Sequence, residues 1–279
     1  MWIDTHCHFD ADEFEPDRQS VAQRAAAVGV EAIVIPGYVA SRWEHLLQVC
    51  RSITGPRLHA APGLHPCYIH KHHPRHLEQL DAILRSFPCA AVGEIGLDTY
   101  LPELKPPEVY EAQQRFFIDQ LQLAKAHDLP VILHVRKAHA DIFRILREQH
   151  FRQGGIVHAF SGGVEEAKHY YRLGFRLGIG GGLSYPQARR LHAVVAAMPL
   201  DAMVIETDAP DITPLPQREL GVRRNSPEFL PVVAGVLAAL KQLDIEVLSE
   251  RMRLNSHAAL RLEQDPVSAC HEPTGCHRF

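Results

Sequence analysis

Eight short apolar runs alternate along this chain with stretches of helical period, and no other feature constrains the fold as tightly. The runs lie at residues 1–8, 31–35, 58–64, 89–94, 130–134, 155–158, 175–179 and 203–208, and most are rich in β-branched or small residues. Between them fall helix-like stretches at 20–28, 43–51, 77–86, 109–127, 141–149, 165–173, 187–198 and 230–243. In the longest, Phe116, Phe117, Ile118, Leu121 and Leu123 form an apolar stripe, while Glu111, Arg115, Asp119 and Lys125 form the wet face. Strand followed by helix, eight times over, predicts an α/β chain folded as one (β/α)₈ (TIM) barrel over residues 1–262. A further amphipathic stretch, 247–262, is expected to pack on its outside, and residues 263–279 read as a polar, flexible tail.

Such a barrel carries its active site at the C-terminal ends of the strands. The first run ends in His6-Cys7-His8; on an extended chain the two imidazoles share one side and Cys7 faces the helix layer. A pair of neutral imidazoles suits a transition metal. Four later runs end in Glu94, His134, His158 and Asp208, giving six candidate ligands, enough for two ions. A polar residue closing one strand is unremarkable alone; five strand ends repeating the pattern are a signal. Glu206 and Asp98 read as supporting groups, with Glu206 pointing into the barrel one layer below Asp208. Arg136, two past His134, faces the same mouth and could hold a phosphate, against the alternative of a surface ion pair. His45, His150, His169, His192 and His257 sit in helical stretches and read as packing or solvated residues.

The segments His6-Cys7-His8, 62–66 (PGLHP), 93–98 (GEIGLD), 134–138 (HVRKA), 158–162 (HAFSG), 206–210 (ETDAP) and 224–227 (RNSP) occur in order, and together the chain resembles the TatD family of metal-dependent deoxyribonucleases. The resemblance covers residue 1 to about residue 262. Departures are Ala159 where a cysteine is commoner, Thr99 for tyrosine, Asp211 for an aromatic and Ser226 for glutamate; none removes a ligand. The resemblance implies two divalent ions (Mg²⁺, Mn²⁺ or Zn²⁺) bridged by Glu94, one on His6, His8 and Asp208, the other on His134 and His158. It implies a hydroxide between the ions as nucleophile, with Asp208 accepting the proton beside the catalytic Glu94. His65, Arg136, Arg224 and Asn225 would hold substrate phosphate, and the activity would be 3′–5′ exonucleolytic on single-stranded DNA, or RNA.

A net charge of −4 argues against coating nucleic acid by bulk charge. Basic residues nevertheless gather in loops expected on the metal face: 70–75, Arg136-Lys137, and Arg218, Arg223 and Arg224. Tyr38, Tyr68, Tyr100 and Tyr185 fall in loops on that face and could stack bases, against the alternative of ordinary exposed tyrosines. The 6 cysteines have no disulfide or zinc-ribbon spacing, and Cys270-His271 with Cys276-His277 reads as part of a loose tail rather than a metal knuckle. No run is long enough to cross a bilayer, the first strand leaves no room for a leader, and no obligate protein partner is apparent; a cytoplasmic protein with reduced thiols is expected. Two rivals remain. One is a metal-dependent amidohydrolase or esterase on a small molecule, weakened because no lysine ends a strand to serve as a carboxylated bridge. The other is a non-catalytic nucleic-acid-binding relative, for which six ligands have no use.

Overall fold

The structure, a computed structural model, describes residues 1–262. Eight parallel strands form its centre: β1 Trp2–Asp4, β2 Val30–Pro36, β3 Arg57–Ala61, β4 Val92–Asp98, β5 Val131–Arg136, β6 Gly155–Val157, β7 Phe175–Ile179 and β8 Met203–Ile205. Regular pairing runs β1-β2-β3 and β4-β5-β6-β7-β8. Two seams close the ring. At one, Ala90 N donates to Ala60 O, Glu94 N to Gly37 O and Gly37 N to Gly93 O; at the other, Thr5 N donates to Ile205 O and Asp208 N to His6 O. The expected TIM barrel is the architecture found.

Helices α1 Arg18–Ala27, α2 Trp43–Ser52, α3 Arg75–Ser86, α4 Pro107–Ala126, α5 His139–Glu148, α6 Val164–Arg172 and α7 Arg189–Ala197 follow the first seven strands in turn. After β8 come a short α8, Leu215–Glu219, which periodicity does not reveal, then α9 Leu230–Lys241 and α10 Ile245–Leu260. α4 starts at Pro107, where the missing N–H is no loss, and buries Phe117, Leu121 and Ala124 against the barrel. Cys7 is fully buried in the apolar core, as expected, although it lies in the loop beyond β1.

Inside the barrel, Val34, Ala61, Ala91, Ile132, Ile156 and Val204 form a separate apolar cluster with Ala259 and Leu260 at the end of α10. The last helix therefore does more than lie on the outside: it seals one end of the barrel. Asn255 fixes it there by donating to Leu200 O and Met203 O. With one end filled by side chains, only the end carrying the ligand candidates can admit a substrate.

Several strand ends differ from expectation: β5 runs past His134 to Arg136, and β6 and β8 stop at Val157 and Ile205, so His158 and Asp208 lie just beyond their strands. β1 stops at Asp4, so His6 and His8 lie in the loop beyond it. β4 does not end at Glu94 but runs on to Asp98, because Gly96 (φ +144°) lets it pass where an added Cβ would lie 2.0 Å from His134 O. No helix among the described residues is long and apolar enough to cross a membrane.

Candidate metal centre

Glu94 lies in mid-strand, 1% exposed, with its two carboxylate oxygens facing different partners. Oε2 is 3.3 Å from His6 Nε2 and 3.7 Å from His8 Nε2. Oε1 is 2.8 Å from His134 Nδ1, 3.1 Å from His65 Nε2 and 3.9 Å from His158 Nε2. Asp208 Oδ1 completes the first group, 3.5 Å from His6 Nε2 and 3.9 Å from His8 Nε2, and also lies 3.6 Å from His158 Nε2. The two imidazoles of the His-x-His segment meet at 3.3 Å although no strand carries them. Backbone bonds at the β1/β8 seam, with His8 N on Ala209 O, hold that loop instead.

These separations test whether the residues suit a cation. Ligands bound at about 2.1 Å in a tetrahedron stand about 3.4 Å apart. His6 Nε2 and His8 Nε2 lie 3.3 Å from each other and 3.3 to 3.9 Å from Glu94 Oε2 and Asp208 Oδ1, close to tetrahedral edges. Two imidazole nitrogens and two carboxylates of this spacing fit a borderline divalent ion such as Zn²⁺ or Mn²⁺.

Charge in the centre is set by burial and by its own members. Burial holds the His6 ring well below its usual pKa, and takes that of His8 down to about 4. Burial also opposes charging His158 and His134, but Glu206, Asp208 and Glu94 push His158 up to about 10, and Asp98, Cys67 and Glu94 raise His134. Burial, with help from Glu94 and Glu206 and against the pull of His158, raises Asp208 to about 7. Glu94, despite its burial, is held well below the carboxylate range by the ring of histidines.

The supporting layer follows the same economy. Glu206 Oε1 lies 2.9 Å from His158 Nδ1 and accepts from Ala159 N at 2.6 Å, leaving His158 Nε2 turned toward Asp208. Asp98 Oδ2 lies 3.0 Å from His134 Nε2, leaving Nδ1 for Glu94. Asp4, fully buried, accepts from Thr207 N and Thr207 Oγ1 and so pins the residue before Asp208.

The family model for TatD-related DNases matches residues 3–261. The chain belongs to the TatD family. It is 37% identical over 258 residues to YjjV, an uncharacterized metal-dependent hydrolase of Escherichia coli K12, covering 92% of this chain and 96% of that one. The crystal structure of YjjV superposes with a TM-score of 0.86 at 36% identity, over 94% of this chain and 98% of the other. A protein of Edwardsiella piscicida named as a 3′-5′ ssDNA/RNA exonuclease is 31% identical over 267 residues, 93% of this chain and 99% of its own. As a TatD-family metal-dependent hydrolase, the chain has its candidate ligands gathered at one barrel mouth.

Not every residue expected to hold phosphate stands free in this TatD chain. His65 lies on the cluster itself, with Nε2 on Glu94 and Nδ1 accepting from Cys67 N. Arg136 is exposed, its guanidinium carbon 3.6 Å from the Tyr100 ring centroid. Arg224 is engaged elsewhere: it grips both carboxylate oxygens of Asp17 and donates to Glu13 O. Asn225 is fully buried, and its amide donates to the carbonyls of Thr207, Asp211 and Ile212, shaping the loop after β8 from within. Of the tyrosines, Tyr38 and Tyr68 pair at 5.1 Å between centroids beside His8 and His65, whereas Tyr185 donates its hydroxyl to Thr213 O.

Sequence reasoning passed over Cys67, Asp4 and two glutamines. Gln113 Oε1 accepts from Asp98 N, and Gln120 holds both N and O of Leu64, so α4 positions the end of β4 at Asp98 and the loop that carries His65. The signal was present: two polar residues seven apart on the face of α4 that Phe117 and Leu121 bury. The tail pairs Cys270-His271 and Cys276-His277 lie outside the described residues.

Proposed function

We infer that this TatD-family hydrolase cleaves phosphodiester bonds and shortens single-stranded DNA, or RNA, from the 3′ end. The observation that carries the reading is the two-faced Glu94, with one set of ligands on each oxygen. Glu94 Oε2 with His6, His8 and Asp208 would hold one divalent ion, and Oε1 with His134 and His158 a second. Bound there, the ions would supply a nucleophile at neutral pH and electrostatic relief for phosphoryl oxygens. Asp208, with Oδ1 among the ligands, would use its other carboxylate oxygen as the proton acceptor. His158 stacks on His6 at 3.4 Å between centroids, with its Nε2 3.6 Å from Asp208 Oδ1.

The rim supports a nucleotide chain over a neutral amide. The Tyr38–Tyr68 pair, with Lys71 Nζ 5.3 Å from the Tyr68 centroid, offers a base a stacking surface beside a cation. On the other side, Arg136 and Lys137 share the face of Tyr100 and offer charge to a phosphate. The 3′ polarity is carried over from the exonuclease relative. The test is metal-loaded protein on end-labelled single strands, duplexes, a closed circular single strand and an amide panel. Stepwise loss from the 3′ end, with the circle intact, is expected; cut circles would replace the exonuclease by an endonuclease, and amide turnover without nucleotide release would replace both.

A further inference from the structure

On the side of His134 away from Glu94, donors of mixed hardness meet. Cys67 lies in the first turn of the 3₁₀ segment Pro66–Lys71 that follows β3. Its Sγ is 3.5 Å from Asp98 Oδ2, and that same oxygen is 3.0 Å from His134 Nε2. Donor atoms of Cys67, His134 and His65 all lie within 4.8 Å of one another. The ligand assignment above uses neither Cys67 nor His134 Nε2.

We propose that Cys67, Asp98 and His134 form an additional binding site for one thiophilic divalent cation, of the Zn²⁺ and Cd²⁺ class, beside the catalytic pair. Bond lengths of about 2.3 Å to sulfur and about 2.1 Å to nitrogen or oxygen give tetrahedral ligand separations of about 3.4 to 3.6 Å. The Cys67–Asp98 distance of 3.5 Å meets that as it stands. The Asp98–His134 distance of 3.0 Å has to open, by about 0.4 Å to reach the tetrahedral edge, a small rotation for a ring that is not fully buried. His65 does not join them, since its two nitrogens already serve Glu94 and the Cys67 amide; a water fills the fourth position. On binding, the thiol proton and the Nε2 proton pass to solvent, and no redox change is involved.

Cys67 lines a cavity of about 440 Å³ whose walls include Glu103, Glu108 and His70, with Ile69 and Leu104 supplying apolar surface. Two carboxylates in its walls raise the local concentration of cations. Thiolate selects against Mg²⁺ and in favour of Zn²⁺ and Cd²⁺, so the site separates soft ions from those that satisfy oxygen ligands alone. Occupation would draw Asp98 away from His134 and so disturb the ring that faces Glu94. An excess of soft ion is then inhibitory by a route that runs through Cys67.

The full chain, stripped with chelator and reloaded with Mn²⁺, is titrated with Cd²⁺ while thiolate-to-cadmium charge-transfer absorption is followed, wild type beside Cys67→Ser. The remaining cysteines contribute equally to both, so the difference belongs to Cys67. Wild type is expected to take up one more equivalent of Cd²⁺ with charge-transfer absorption than the variant; superimposable titrations overturn the proposal. Should Cys67→Ser not fold, iodoacetamide labelling of wild-type Cys67 is followed by peptide mass spectrometry. Cd²⁺, and not Mg²⁺, is then expected to slow labelling about tenfold, the factor that about 1.4 kcal/mol of site occupancy gives, and an unchanged rate overturns the proposal. Neither readout uses nucleotide turnover, so its failure and that of the nuclease reading are separable.

Discussion

Replacing Glu206 by glutamine removes one charge and almost no volume, and so isolates what the carboxylate does for His158. Glu206 is fully buried, 2.9 Å from His158 Nδ1 and 2.6 Å from Ala159 N. The carboxylate favours a proton on Nδ1 and leaves the Nε2 lone pair aimed toward Asp208 and Glu94. A glutamine can still accept from Ala159 N, but its amide can also donate to Nδ1, which favours the other tautomer and blocks Nε2 with hydrogen. Losing an outer partner of a metal-bound histidine costs about 10- to 100-fold in metal affinity, equivalent to about 1.4 to 2.7 kcal/mol. The assay is competition of the stripped protein against a chromophoric chelator, with near-UV circular dichroism to establish folding. Weaker binding is expected, with activity recovering at high metal concentration. Gly178→Ala provides an independent route to the same effect, since its Cβ would stand 2.2 Å from Glu206 Oε2 and push the carboxylate aside. A folded Glu206→Gln protein with metal affinity within about twofold of wild type would refute the reasoning.

Glu94→Gln is expected to weaken both ion sites and His158→Ala chiefly one, read as two transitions against one in a metal titration; equal losses from both would undo the partition of ligands. Asp208→Asn should abolish turnover, by about 10²-fold or more, with an unchanged far-UV spectrum, and near wild-type activity would remove Asp208 from the mechanism. Tyr68→Ala and Arg136→Ala should raise KM for single-stranded substrate without loss of bound metal, because both lie on the rim rather than among the ligands; unchanged KM in both would place the strand elsewhere. Burial, with Arg57 and His257 adding to it, holds His59 at the closed end of the barrel down to about 4. A histidine charged more easily when unfolded makes stability fall as pH drops from about 6.5 toward 4, and His59→Gln should flatten that limb of a Tm–pH profile.

How much of this was legible beforehand differs from element to element. Helix period located α2, α4 and α9 to within a few residues, because each must bury one stripe on the barrel whatever its neighbours do. α8 was not legible: five residues beginning Leu215-Pro216 show no period, and its place depends on the long excursion after β8. Glu94 was recognised as a strand residue with metal chemistry, but the sequence could not show the strand continuing past Gly96, since only the carbonyl of His134 makes glycine necessary there.

By itself, the sequence determined the eightfold strand–helix order and the identity of the ligand candidates, since both follow from local periodicity and from which side chain ends each run. Tertiary structure decided what those side chains face. His65 turned to Glu94 and Arg224 to Asp17, across 29 and 207 residues; Asn225 went inward to loop carbonyls, and the unmarked Cys67 arrived beside Asp98. Loop residues have no fixed period to orient them. Their direction is set by whichever buried charge or unsatisfied carbonyl the closed barrel brings within reach, and that is known only once all eight strands are in place.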